Sequence, residues 1–358
     1  MIIEKINSPK DLKKLSIDEL KTLSYEVREY MVEFVSQTGG HLASSLGAVE
    51  LCIGLHYCLD APKDSLIFDV GHQAYAHKIL TGRKKDFSKL RQYNGLSGFP
   101  NFNESIYDVF ISGHASCSIS WAGGIAQAKQ LKGCKSKTVA LIGDGALTGG
   151  MALEALNACG HTKNDMLVVV NHNEMSISPS VGALSNYLTK IISAPIYNRI
   201  KNELESFLEH FSLIKPLVQK ARKFEETVKC LAVPGIFFEE LGFRYFGPID
   251  GHNMESLIPT LKNVISLDGP RVLHVVTKKG KGYKFAEDNP ENFHSAVKFN
   301  IETGEPKQKP SQSFSEVFAN KLSEIAERNN EVVAITAAMP RGTGLDLFGK
   351  KHPGKLFD

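Results

Sequence analysis

Short, mostly apolar runs that close on a glycine or a small polar turn, each followed by a helix-like segment, constrain this chain most. Leu66–Val70 runs into Gly71, Val109–Ile111 into Ser112-Gly113, Thr138–Ile142 into Gly143, Met166–Val170 into Asn171, and Val272–Val276 into Thr277-Lys278-Lys279-Gly280. A strand that is apolar on both faces must be covered on both faces, which is the condition of a parallel sheet between helical layers. The intervening stretches 116–131, 150–159 and 254–265 carry helical patterning. The expected fold class is therefore α/β, a doubly wound, mostly parallel sheet with helices on both faces.

The 358 residues are enough for more than one domain, and 42% hydrophobic with 23% charged residues is ordinary for a globular protein. A net charge of +3 is small for this length and argues against nucleic acid or a membrane surface as partner. The six cysteines form no Cys-x-x-Cys pair, so a zinc or redox site has no support. No window approaches the roughly 18 apolar residues of a membrane span, and Met1–Lys5 does not open a secretory signal. These readings predict a soluble, cytoplasmic protein.

Three regions are predicted along the chain. Residues 1–300 form the main domain, with a charged helical excursion at 181–231. Residues 301–313, polar and holding two prolines, read as a linker. Residues 314–358 offer one helix (314–328) and one strand (331–335), read as the incomplete start of a second α/β domain. A lone strand leaves ladder groups unpaired, so this tail is expected to pack poorly or against another molecule.

The strongest chemical signal is Gly143-Asp144-Gly145 at one strand end and Asn171-His172-Asn173 at the next. A right-handed strand–helix–strand crossover puts both at the same carboxyl edge of the sheet, where open α/β sheets bind ligands. A carboxylate and an amide oxygen are hard donors suited to Mg²⁺, which shares its shell with phosphates. The flanking glycines let backbone N–H groups approach a diphosphate. Gly-His recurs at 40–41, 71–72, 113–114, 160–161 and 251–252. The first three precede helix-like stretches, so His41, His72 and His114 are expected on the same edge as Asp144. Lys278, Lys279 and Lys281 suit either a phosphate or a solvated loop. His56, His161, His210, His274 and His352 read as structural or surface residues.

Several stretches occur in the order found in one family: Gly39–Gly47, Asp69–Tyr75, His77–Arg83, Gly143–Thr148, Asn173–Ser178, Gly247–His252 and Thr277–Tyr283. Together they are similar to the signatures of the 1-deoxy-D-xylulose-5-phosphate synthases, thiamine-diphosphate enzymes of the transketolase-like group. The resemblance covers essentially the whole chain. It implies thiamine diphosphate and Mg²⁺ as cofactors, with Asp144, Asn173 and the backbone carbonyl of Met175 as Mg²⁺ ligands. It places His72, Gly113, His114, Ala115, Gly145, Ala146, Asn173 and Tyr283 around the cofactor, and His41 and His294 on the substrate side. The implied reaction joins a two-carbon unit from pyruvate to D-glyceraldehyde 3-phosphate, the first step of non-mevalonate isoprenoid precursor synthesis, in a homodimer. His172, Ala115 and Arg341 depart from the family's aspartate, serine and small polar residue.

In the family a later stretch supplies a glutamate to the aminopyrimidine, which this sequence lacks. The 358 residues alone are thus expected to be inactive. A truncated non-catalytic diphosphate-binding fragment and the amino-terminal subunit of a split transketolase are the alternative readings.

Overall fold

The computed structural model describes residues 1–173, 175, 182–193, 235–308 and 312–358. At its centre is a five-stranded, wholly parallel sheet of β1 (Ser65–Phe68), β2 (Thr138–Gly143), β3 (Leu167–His172), β4 (Arg244–Asp250) and β5 (Arg271–Val276), in the order β1-β2-β3-β5-β4. Successive strand side chains point to opposite faces. Leu66 and Phe68, Val139 and Leu141, Leu167 and Val169, and Leu273 and Val275 enter one core. Ile67, Ala140 and Ile142, Val168 and Val170, and Val272 enter the other. The runs are almost wholly apolar because both faces are buried, His274 in β5 being the exception.

The first core is closed by helices 17–38, 49–58 and 254–266. Helix Ile17–Thr38 opens on a capping box, in which Ser16 Oγ accepts the Glu19 N–H and Glu19 accepts the Ser16 N–H at 2.8 Å. Its stripe of Leu20, Leu23, Val27, Met31 and Val35 is fully buried at helical spacing. Burying each such side chain stabilises by roughly 1.5–3 kcal/mol. The helix stops at Gly39, whose φ of 76° lies in the left-handed region. Helices Ser118–Leu131 and Gly150–His161 cover the second face.

Two expectations are corrected and one strand is added. Val109–Ile111 is not a strand; it lies in a loop fixed by Asp108, which accepts the Asn101 N–H at 2.7 Å, and by the Ser112 N–H to Pro100 carbonyl bond. β4 was not predicted. Gly247-Pro248 interrupts it: β4 is an edge strand with a register shift between Phe246 and Ile249, and proline is tolerated at such places. The tail does not hold a lone strand. β6 (Ala334–Ile335) pairs in parallel with β7 (Leu356–Phe357), and Ala326, Ala334, Leu345 and Phe348 form a small core with helices 314–328 and 345–351. Of the 181–231 excursion, helix Ala183–Ser193 is described and most of the rest lies outside the described residues.

Candidate active site

The register Gly143↔Asn171 makes β2 and β3 end side by side, so Asp144 and Asn173 leave the sheet together at its carboxyl edge. A cavity of about 590 Å³ opens there, and both residues line it with Gly143, Gly145, Ala146 and Met175. Asp144 is 1% exposed. Asn173 Oδ1 accepts the Met175 N–H at 3.1 Å, which folds the chain back and keeps residue 175 beside the cavity. The neighbouring Asn171 is occupied, because its Oδ1 accepts the Thr277 hydroxyl at 2.6 Å. Among the described residues, no group of three or more His, Cys, Asp or Glu could hold a metal. At these two strand ends the donors are one carboxylate, one amide and main-chain oxygen, a poor zinc site but a good partial shell for Mg²⁺ completed by water and phosphate.

A second wall is built by the carboxylate that follows β1. Asp69 is buried, and its two oxygens accept the Ser116 and Ser118 N–H groups at 2.7 and 2.9 Å, capping helix Ser118–Leu131. Ser116 Oγ in turn donates to the Ala146 carbonyl at 2.7 Å. Asp69 thereby locks the 113–116 loop, with Gly113 and Ala115 in the cavity lining, to the 145–149 loop. A Cβ on Gly149 would stand 2.1 Å from that hydroxyl, so the close approach demands glycine. Val70, β-branched yet at φ 57°, lies beside this wall, a strained backbone of the kind found at ligand sites.

Histidines form the opposite wall. Gly40 and Ala296 exchange backbone hydrogen bonds of 2.8 Å, and Ala43 N–H donates to the Phe293 carbonyl, which sets His41 beside His294. A Cβ on Gly40 would reach 2.5 Å from the Tyr75 hydroxyl, which accepts the His41 N–H. The rings of His41, His72 and His294 lie 5.1–5.9 Å apart, centre to centre. Burial, then Arg91, pushes His41 down to about 4. Burial, then Lys279 and His41, pushes His294 down to about 3. Burial, then the neighbouring histidines, holds His72 well below its usual value. Arg91 Nη1 donates to His41 Nδ1 at 3.3 Å; arginine cannot accept, so neutral His41 carries its proton on Nε2. Ser44 Oγ lies 3.4 Å from His294 Nδ1.

Two nominated residues stand apart from the cavity. His114 is exposed, with Nδ1 against the Ala115 carbonyl at 2.7 Å. Tyr283 packs on Phe285, Phe293 and Phe299, and its hydroxyl donates to the Ile301 carbonyl. Of the three lysines, Lys279 lines the cavity at 5% exposure; burial pushes it down to about 8 against the opposing pull of Asp144 and Glu291. Lys278 is exposed and paired with Glu287. Arg341 pairs with Glu291 at 3.0 Å, tying the tail to the main domain. Lys279 was read from the sequence as suiting either a phosphate or a solvated loop; Asp69, Arg91 and Ser44 were given no specific role. Asp69 alone carried a signal, a carboxylate directly after an apolar strand as at Asp144.

Among solved structures, the chain is similar to the transketolase of Campylobacter jejuni (TM-score 0.57, 19% identity, 79% of this chain and 41% of that one). It is similar also to that of Leishmania mexicana (TM-score 0.55, 18% identity, 95% and 48%). The fold is thus that of the transketolase-like α/β class. Residues 3–277 match the family model for 1-deoxy-D-xylulose-5-phosphate synthase. Proteins of that name from Caldanaerobacter subterraneus subsp. tengcongensis and Carboxydothermus hydrogenoformans are 54% and 55% identical over all of this chain. The chain belongs to the 1-deoxy-D-xylulose-5-phosphate synthase family. It spans 58% of the length of those two relatives.

Proposed function

We propose that this chain supplies the diphosphate- and Mg²⁺-holding part of a 1-deoxy-D-xylulose-5-phosphate synthase, a transferase of isoprenoid precursor synthesis acting on pyruvate and D-glyceraldehyde 3-phosphate. The carrying observation is the cavity at the carboxyl edge, with paired hard donors on one side and neutral histidines on the other. Bound thiamine diphosphate would supply the electron sink for decarboxylation and two-carbon transfer. Asp144, Asn173 and the Met175 carbonyl would hold the cation. Gly113, Ala115, Gly145 and Ala146 offer backbone without side-chain bulk to the diphosphate. Lys279 adds positive charge, and His72 borders the same space.

His41 holds its proton on Nε2, the nitrogen left free by Arg91, and is suited to exchange it with substrate oxygen. His294, held neutral beside Ser44, is suited to bind a substrate hydroxyl. In this reading the working protein is a cytoplasmic homodimer, and no described helix is long and apolar enough to cross a membrane. The split-transketolase alternative is not favoured, because the two solved transketolases named above are 19% and 18% identical to this chain, against 54% for the synthase relative.

Calorimetric titration of this chain with thiamine diphosphate tests the reading. Binding should require Mg²⁺ and be lost in Asp144→Ala. Equal binding without Mg²⁺, or in that variant, would overturn it.

A further inference from the structure

His172, between the two asparagines that follow the apolar run of β3, does not stand alone. It ends β3, with a ring stacked on His274 of β5 at 5.1 Å and 12°, both fully buried. His172 Nδ1 and His274 Nε2 are 2.9 Å apart. His274 Nδ1 is 2.7 Å from the hydroxyl of Tyr245 on β4. At the other end, His172 Nε2 is buried, has no hydrogen-bond partner among the described residues, and lies 3.8 Å from Asp144 Oδ2. Three strands thus contribute one side chain each to a line that ends at the carboxylate.

The protons on this line are not independent. Facing nitrogens 2.9 Å apart hold a single proton between them, so the two rings do not both carry charge, and a neutral ring carries one N–H. If Tyr245 donates to His274 Nδ1, His274 must carry its proton on Nε2 and donate to His172 Nδ1. His172 then carries its proton on Nε2 and presents it to Asp144. The reverse order would aim a bare imidazole lone pair at a buried carboxylate and leave the Tyr245 hydroxyl proton without its one described partner. Electrostatics selects the first order.

We infer that Tyr245, His274 and His172 form a one-directional hydrogen-bond chain that turns the His172 Nε2–H toward Asp144, 3.8 Å away, and orients its carboxylate for a divalent cation. The cation half rests on the metal reading above; the direction of the chain does not. The three are positioning residues. A ligating carboxylate whose outer partner is removed typically loses about 10–100-fold in metal affinity.

Two measurements on this chain test it. In the metal-free, ¹⁵N-histidine-labelled protein, long-range ¹⁵N–¹H spectra should show His172 and His274 both as Nε2–H tautomers. Electron paramagnetic resonance with Mn²⁺ as the probe should show His172→Asn binding about 10–100-fold more weakly. His172→Gln, whose amide nitrogen reaches the Nε2 position, should restore affinity to within a few-fold. Tyr245→Phe keeps the ring and guards against a folding failure; it should mix the His172 tautomers and weaken Mn²⁺ severalfold. An Nδ1–H tautomer at His172, or wild-type tautomer and affinity in Tyr245→Phe, overturns the inference. Asp144→Asn separates the two readings. Undiminished Mn²⁺ binding there would defeat the cation half, while the metal-free spectra still decide the direction.

Discussion

Glu50→Gln should reveal how a buried ion pair outside the cavity lining supports it. The Glu50 carboxylate is 5% exposed and takes Arg28 through both terminal nitrogens, at 2.6 and 2.5 Å, and His252 Nδ1 at 3.0 Å. His252 Nε2 then accepts the Lys278 N–H at 2.8 Å, which holds the strand end that carries Lys279. Burial opposes the charge on Glu50, but His252 and Arg28 prevail and pull it from 4.5 to about 2. That depression is worth roughly 3 kcal/mol. Leaving Arg28 buried and unpaired costs about 3–5 kcal/mol, which agrees. A loss of about 3 kcal/mol corresponds to a fall in Tm of roughly 6–12 °C for a domain of 150–250 residues, and somewhat less for a longer chain.

The pH dependence has a definite sign. The folded-state value is depressed, so the contribution is complete above about pH 4.5 and is lost as pH falls toward about 2. Urea unfolding followed by circular dichroism from pH 7 to pH 3 should therefore show the wild-type and Glu50→Gln curves converging below pH 4.5. A gap that stays constant across that range, or one under about 1 kcal/mol at pH 7, would refute the reasoning.

Gly149→Ala should break the Ser116–Ala146 link and cost about 1–3 kcal/mol with weaker diphosphate binding; Gly150→Ala, with open space at its Cβ, is the control, read by thermal melting and calorimetry. The His41 ring, held near 4, should remain neutral at pH 5.5; its ring proton resonances should not move between pH 8 and pH 5.5, and a midpoint near 6.5 would refute the burial argument. Because His41 and His294 are both depressed from 6.5, the unfolded chain takes up protons first, and stability should fall as pH drops from about 6.5 toward 4.

The sheet was legible where burial on both faces makes the strands largely apolar, as in β1, β2, β3 and β5, with His274 the polar exception inside β5. It was illegible at β4, whose exposed Arg244 and Gly-Pro break belong to an edge. Val109–Ile111 misled because a short apolar run carries no length signal; Ile111 is in fact 51% exposed. Asp144 and Asn173 were readable because the strand ends that hold them were. Arg91 and Ser44 were not, since their partners lie 50 and 250 residues away. The failed expectation for the tail has a similar cause. β7 is two residues long and becomes a strand only by pairing with β6, a relation no local pattern announces.

The backbone bridge between Gly40 and Ala296 also has a consequence for how the site comes into being. Residues 1–173 already contain β1, β2 and β3, so the donor pair at their ends can be organised while the chain is still growing. The histidine wall cannot. It closes only when the segment around residue 296 returns to the first helices, a loop of about 250 residues whose closure entropy is met late and in one step. A ribosome-bound chain ending before that segment should carry its carboxylate and amide in place with His41 lacking only its His294 neighbour, and arrival of the last stretch converts a half-built groove into an enclosed one.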